Sequence, residues 1–142
     1  MKAIVFYDGW CGVCNYWVNW ILEHDTQKRF YYATLESEFA DSFSQHFAYK
    51  FPQETIVLWQ EDVGFLLKSD ALLFIFGTIK PTSFKVRIFK LVPKFLRDLA
   101  YTIFAYFRRY VPMKQCKIPS KEEKKQFMTG KPLQEFLNIP QV

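Results

Sequence analysis

The sequence predicts an α/β fold: a β-α-β-α-β-β-α core over residues 1–79 and a helical C-terminal part over 80–142, in one domain. Three observations predict it. Ala3 to Tyr7 is a short, continuous apolar run stopped by Asp8-Gly9, the pattern of a fully buried strand. Within Cys11 to His24, the residues Cys14, Trp17, Val18 and Ile21 then fall on one helical face. Phe30 to Leu35 reads as a second strand. Strand, helix and strand with tight links make a βαβ unit, which calls for parallel strands and a right-handed crossover.

The remaining elements follow in order. Ser37 caps a helix over Glu38 to Phe47, in which Phe39, Phe43 and Phe47 recur every four residues as a core stripe. Thr55 to Trp59 is a third strand. Glu61 to Gly64 turns the chain, and Phe65 to Lys68 returns as an antiparallel partner. Ser69 caps a helix from Asp70 to Phe76, with Gly77 as its stop. Ser83 to Leu91 is helical, and Pro93 opens the next helix because proline suits a first turn. That helix carries an apolar stripe of Phe95, Leu96, Leu99, Ala100, Ile103, Phe104 and Phe107, and Pro112 closes it. Lys114 to Pro119 is a loop carrying Cys116, and Ser120 to Met128 and Pro132 to Leu137 read as short terminal helices.

Composition narrows the function. Half of the 142 residues are apolar and a fifth are aromatic, including 16 Phe, which excludes a disordered chain. The formal charge of +5 is concentrated between Lys80 and Lys125. A solvated basic face accounts for it without nucleic acid. The alternative is a non-enzymatic module whose basic, aromatic helices from Ser83 to Tyr110, charged by Arg87, Lys90, Lys94, Arg97, Arg108 and Arg109, dock on a membrane surface or a partner. Met1 to Tyr7 is too short for a signal-peptide core, and no uncharged apolar run reaches the ~18 residues that span a bilayer. A cytoplasmic protein is expected. Three cysteines, an odd count, argue against a disulfide scaffold.

Two of the three stand close together, in Trp10-Cys11-Gly12-Val13-Cys14. A Cys-x-x-Cys at the start of a helix puts two sulfurs one turn apart. The attacking species in disulfide exchange is the thiolate. Free N–H groups and the helix dipole stabilise that anion at the first cysteine. Cys11 is therefore expected to attack, and Cys14, on the apolar face with Trp17 and Val18, to resolve. Trp10 would shield the pair from water. Asp8, three residues before Cys11, either accepts the resolver's proton or caps the turn. A zinc site would need Cys116 and either His24 or His46 to complete four ligands. Neither histidine has ligand spacing to a cysteine, and His24 lies roughly 15 Å from Cys14 by helical rise. Haem attachment fails because Asn15 stands where histidine is required. No metal and no organic cofactor is expected, only a redox-active Cys11–Cys14 pair. Cys116 is either a small buried apolar group or a third thiol whose loop folds back over the Cys11 turn.

Asp8-Gly9-x-Cys11-x-x-Cys14 resembles the signature of the DCC family of thiol-disulfide oxidoreductases, named for that Asp-Cys-Cys pattern. Thr34-Leu35-Glu36-Ser37-Glu38, Ser69-x-Ala71, Pro93-x-x-x-Arg97-Asp98-x-x-Tyr101-x-x-x-Ala105 and Cys116-x-x-Pro119 extend the resemblance along nearly the whole chain. It implies a thioredoxin-like core and dithiol–disulfide exchange with a disulfide- or dithiol-bearing protein or small thiol. Val13 stands where thioredoxin's W-C-G-P-C has proline. Pro52 lies three residues before Thr55, near where thioredoxin-like proteins carry a cis-proline facing the cysteines. Arg97 and Asp98 are adjacent on a helix and cannot face each other. Arg97 either reaches toward the active-site turn and offsets Asp8, or makes an ordinary interhelix ion pair.

Overall fold

Four strands, β1 (Ala3–Tyr7), β2 (Phe30–Thr34), β3 (Val57–Gln60) and β4 (Gly64–Leu67), form one sheet in the order β2-β1-β3-β4. The computed structural model describes residues 2–8, 12–52, 55–107, 121 and 123–138. β1 is parallel to β2, with Ala3 opposite Phe30 and Tyr7 opposite Thr34. It is antiparallel to β3, with Phe6 opposite Val57, and β3 is antiparallel to β4. Every residue of β1 is buried, because a strand stands on each side of it and helices cover both faces. This is a thioredoxin-like α/β arrangement.

Alternation along the strands divides the core in two. Ala3, Val5 and Tyr7 face α1 (Gly12–His24) and α3 (Lys68–Ile79), meeting Val18, Ile21, Ala71 and Ile75. Ile4 and Phe6 face the opposite way, toward α2 (Glu38–His46) and α6 (Leu133–Leu137), meeting Phe39, Phe43 and Phe136. The link from α1 to β2 is tight because the buried Asp25 carboxylate accepts hydrogen bonds from the backbone N–H of Arg29 at 2.7 Å and of Phe30 at 3.2 Å. Ser37 caps α2 as its sequence position requires, its hydroxyl accepting from the Ala40 N–H at 3.2 Å. Gly64, with φ of +91°, ends the β3–β4 turn in a conformation that favours glycine.

Three elements depart from the sequence reading. The third strand begins at Val57 rather than Thr55, because Thr55 and Ile56 turn their hydrogen bonds to a helix instead of the sheet. The third helix starts at Lys68, runs through Gly77 to Ile79, and is not capped by Ser69. Burial of Ala71 and Ile75 outweighs the roughly 1 kcal/mol that an interior glycine costs. The segment expected to be helical over Ser120 to Met128 forms only a 3₁₀ turn at Glu123–Gln126, within its described residues. It then runs along the open edge of β2. Met128 N–H donates to the Tyr32 carbonyl at 2.7 Å, Gln126 Nε2 to the Phe30 carbonyl at 2.8 Å, and Thr34 N–H to Thr129 Oγ1 at 3.2 Å. Edge groups that a free strand would expose are satisfied in this way.

α4 (Phe84–Leu91) and α5 (Lys94–Phe107) pack on α3. Pro93 does open α5, its carbonyl accepting from the N–H groups of Leu96 and Arg97, both at 3.1 Å. The apolar stripe of α5 does not enter the core. Phe95, Leu96, Leu99, Ile103, Phe104 and Phe107 are exposed, whereas Arg97, Asp98 and Tyr101 turn inward.

Candidate active site

The registers bring several chain ends to one edge of the sheet. β1 ends there at Tyr7, followed by Asp8, and α1 begins there at Gly12. β3 is antiparallel to β1, so its first residue, Val57, stands beside Phe6 at the same end. The hairpin returns Leu67 opposite Val57, and α3 starts at the next residue. Strand therefore passes directly into helix at Lys68, which takes a left-handed φ of +53°, uncommon for a residue with a side chain. Cys14 lies in the first turn of α1. Asp8 is half-buried at the strand end. Gly9, Trp10, Cys11, Cys116, Arg108 and Arg109 lie outside the described residues.

α5 closes this end of the molecule with a set of polar contacts. The hydroxyl of the buried Ser69, at the start of α3, donates to Asp98 Oδ1. Asp70 accepts from Lys94 Nζ at 2.8 Å and pairs with Arg97 Nη2 at 3.6 Å. Thr55 Oγ1 and Ile56 N–H both donate to the Tyr101 hydroxyl oxygen, at 3.1 and 3.2 Å. The adjacent Arg97 and Asp98 thus diverge to different residues of α3, as helical geometry requires. Arg97 makes an interhelix ion pair at the same end of the sheet as Asp8. Its side chain is only 11% exposed, and its Nε and Nη1 are buried without a hydrogen-bond partner among the described residues.

Sequence reasoning did not assign Thr55 and Asp70 to this cluster and gave Ser69 to a cap. A signal was present: Arg97, Asp98 and Tyr101 share helical spacing just as the apolar stripe does. Pro52 precedes this region by a trans bond, there being no cis peptide among the described residues. The histidines considered as metal ligands occupy other places. His24 Nδ1 donates to the Trp20 carbonyl at 2.8 Å, and the ring stacks on Trp20. His46 packs edge-on against Phe47. Farther along α1 from Cys14, a cleft of about 520 Å³ is lined by Trp17, Trp20, Phe76, Phe89, Lys80 and Lys85, among others.

A family model described as DCC1-like thiol-disulfide oxidoreductase matches residues 5–114. The chain belongs to that family. The matched span runs from β1 through α5 and contains Asp8, Cys11, Cys14 and Arg97, while Cys116 and the segment lining the β2 edge lie beyond it. The chain is also similar to the uncharacterized protein YuxK of Bacillus subtilis, with 25% identity over 129 residues, covering 89% of this chain and 94% of that protein. No solved structure matches. Membership of the DCC1-like family supports a general thiol–disulfide oxidoreductase role and, with it, thiol or disulfide substrates.

Proposed function

We propose that this DCC1-like protein is a dithiol–disulfide exchange enzyme whose reacting pair is Cys11 and Cys14. The observation that carries the reading is the position of Cys14 in the first turn of a helix following a fully buried central strand, in a chain of a thiol-disulfide oxidoreductase family. The N–H groups of that turn have no intrahelical acceptor and favour a nearby thiolate.

The exchange runs in two steps. The Cys11 thiolate attacks one sulfur of the substrate disulfide, forming a mixed disulfide and releasing the other sulfur as a thiolate, which takes a proton. Cys14 gives its proton to Asp8, directly or through water. Its sulfur then attacks Cys11, and the second substrate sulfur leaves. The protein ends as the Cys11–Cys14 disulfide, and the substrate has gained two electrons and two protons. The reverse sequence oxidises a substrate dithiol. The guanidinium of Arg97 supports the anion electrostatically from the sheet end where α3 and α5 meet. Cys116 serves as a third thiol only if its loop reaches that turn.

The partner is a protein or small molecule bearing a disulfide or dithiol, and not a nucleic acid. The electrons come from the cysteine pair, so no metal or organic cofactor takes part. We assign the enzyme to the cytoplasm, where reducing conditions keep such a pair available. Among the described residues no helix is long and apolar enough to cross a membrane.

Trapping tests the roles. The Cys14→Ser protein should accumulate mixed disulfides on Cys11 that dithiothreitol releases, and the Cys11→Ser protein should accumulate almost none. Equal trapping by the two variants overturns the order of attack. A Cys11 alkylation rate that follows pH like an ordinary surface thiol, with pKa about 8.5, removes the activated nucleophile.

A further inference from the structure

We propose that the outer faces of α4 and α5 form a docking surface for an anionic lipid bilayer. The first reason is the inversion of α5. Its polar Arg97, Asp98 and Tyr101 are spent on holding the helix to α3 and to the segment before β3. Its apolar residues are left outside, with Phe95 71% exposed and Leu99 56% exposed. α4 continues the pattern, with Phe84 at 73% and Leu91 at 83%. A monomeric soluble protein scatters exposed apolar side chains singly, and a cluster of large ones on consecutive helices marks a surface that another phase or molecule covers.

Charge identifies what covers it. Residues 80–107 hold six lysines and arginines and one acid, so this stretch accounts for the whole formal excess of +5, and the rest of the chain is balanced. Lys94 and Arg97 are paired with Asp70. Lys85, Arg87 and Lys90 are exposed on α4 and make no ion pair among the described residues. A second copy of the chain brought against this face would oppose like charges. A peptide is ordinarily held in a groove or at a sheet edge, whereas Phe84, Leu91, Phe95 and Leu99 stand exposed on the outside of two helices. An anionic bilayer meets both features. Phe and Leu enter the headgroup–acyl boundary, and the basic side chains lie along the surface with their charges at the phosphates. α5, at 14 residues, rises roughly 21 Å, short of the ~30 Å hydrocarbon layer. Among the described residues no helix is long and apolar enough to cross a membrane, and the proposal lays α5 along the bilayer surface.

Sedimentation of the full chain with vesicles tests the proposal. Vesicles of equal parts phosphatidylcholine and phosphatidylglycerol should bring the protein down at low salt. Phosphatidylcholine alone should retain much less, and added salt should release it. Phe95→Ser combined with Leu99→Ser should weaken partition by at least about tenfold. Lys85→Gln and Lys90→Gln should each weaken it about fivefold. Lys50→Gln, an exposed lysine just beyond α2, should leave it unchanged. All of these positions are exposed, and circular dichroism verifies that each variant keeps the fold. Failure to bind the anionic vesicles overturns the proposal, as does binding that the Phe95 and Leu99 substitutions leave intact. Two further outcomes also overturn it: a homodimer that the Phe95→Ser change disperses without any vesicle binding, and capture by polyglutamate as tight as capture by vesicles.

Discussion

α2 and α5 are both amphipathic helices rich in Phe, and their apolar stripes go to opposite places. In α2, Phe39 and Phe43 are fully buried against Phe6, Trp59 and Phe136, and Glu38, Asp41 and Gln45 face out. In α5 the stripe faces out, and its contacts to the body include two ion pairs to Asp70, the Asp98 carboxylate and Tyr101, which packs on the core and accepts two hydrogen bonds. The first helix is bound by area removed from water, whereas the second adds a set of directional polar bonds to the packing of Tyr101. Hydrophobic periodicity thus finds a stripe but does not say whether the body of the protein covers it.

The widest gap between the two helices should appear on truncating a phenylalanine in each. Phe43→Ala should cost about 3–5 kcal/mol by urea denaturation, because it opens a cavity among aromatic rings. Phe95→Ala should fall within about 0.5 kcal/mol of the parent. Equal losses at the two positions would break the comparison. Next in size is Asp98→Ala, which strands the buried Ser69 hydroxyl and should cost about 1–3 kcal/mol.

Tyr101→Phe isolates the role of one oxygen. It removes the acceptor for Thr55 and Ile56 and should cost about 1–2 kcal/mol, with faster hydrogen exchange at the Ile56 amide. An unchanged Ile56 exchange rate would show that α5 does not hold the start of β3. Ser37→Ala on the other helix should cost about 1 kcal/mol, the usual value of a lost cap.

The smallest effect concerns pH. The hydrogen bond and charge of Asp70 raise the Lys94 pKa above the ordinary lysine value. The pair's contribution is therefore complete below the ordinary value and is lost as pH rises through the raised one. Lys94 is exposed, so the change is slight. Lys94→Gln should flatten whatever alkaline decline in melting temperature the pair causes, and an unaltered decline assigns it to other groups.

Much of the first half of the fold was legible. The run Ala3 to Tyr7, halted at Asp8-Gly9, announced a central strand. The four-residue spacing of Phe39, Phe43 and Phe47 announced α2, and Glu61 to Gly64 announced the hairpin turn. Each depends on neighbours within a few residues. Of the candidate site, Asp8, Cys11 and Cys14 were named from spacing at a strand-to-helix turn, and Arg97 from the family pattern. The partners of Arg97 and Asp98 were not legible, because Ser69 and Asp70 lie nearly thirty residues away and read locally as helix-start residues.

Alone, the sequence determined where the chain is extended, where it coils, and which side chains share a face, since those follow from backbone sterics and local periodicity. Only the tertiary structure decided that Ser69 would bind Asp98 instead of capping its own helix. It also decided that residues 126–129 would line the β2 edge and that α5 would turn its apolar face outward. Burial and hydrogen bonding belong to pairs of surfaces, and distant segments become pairs only once the chain has folded.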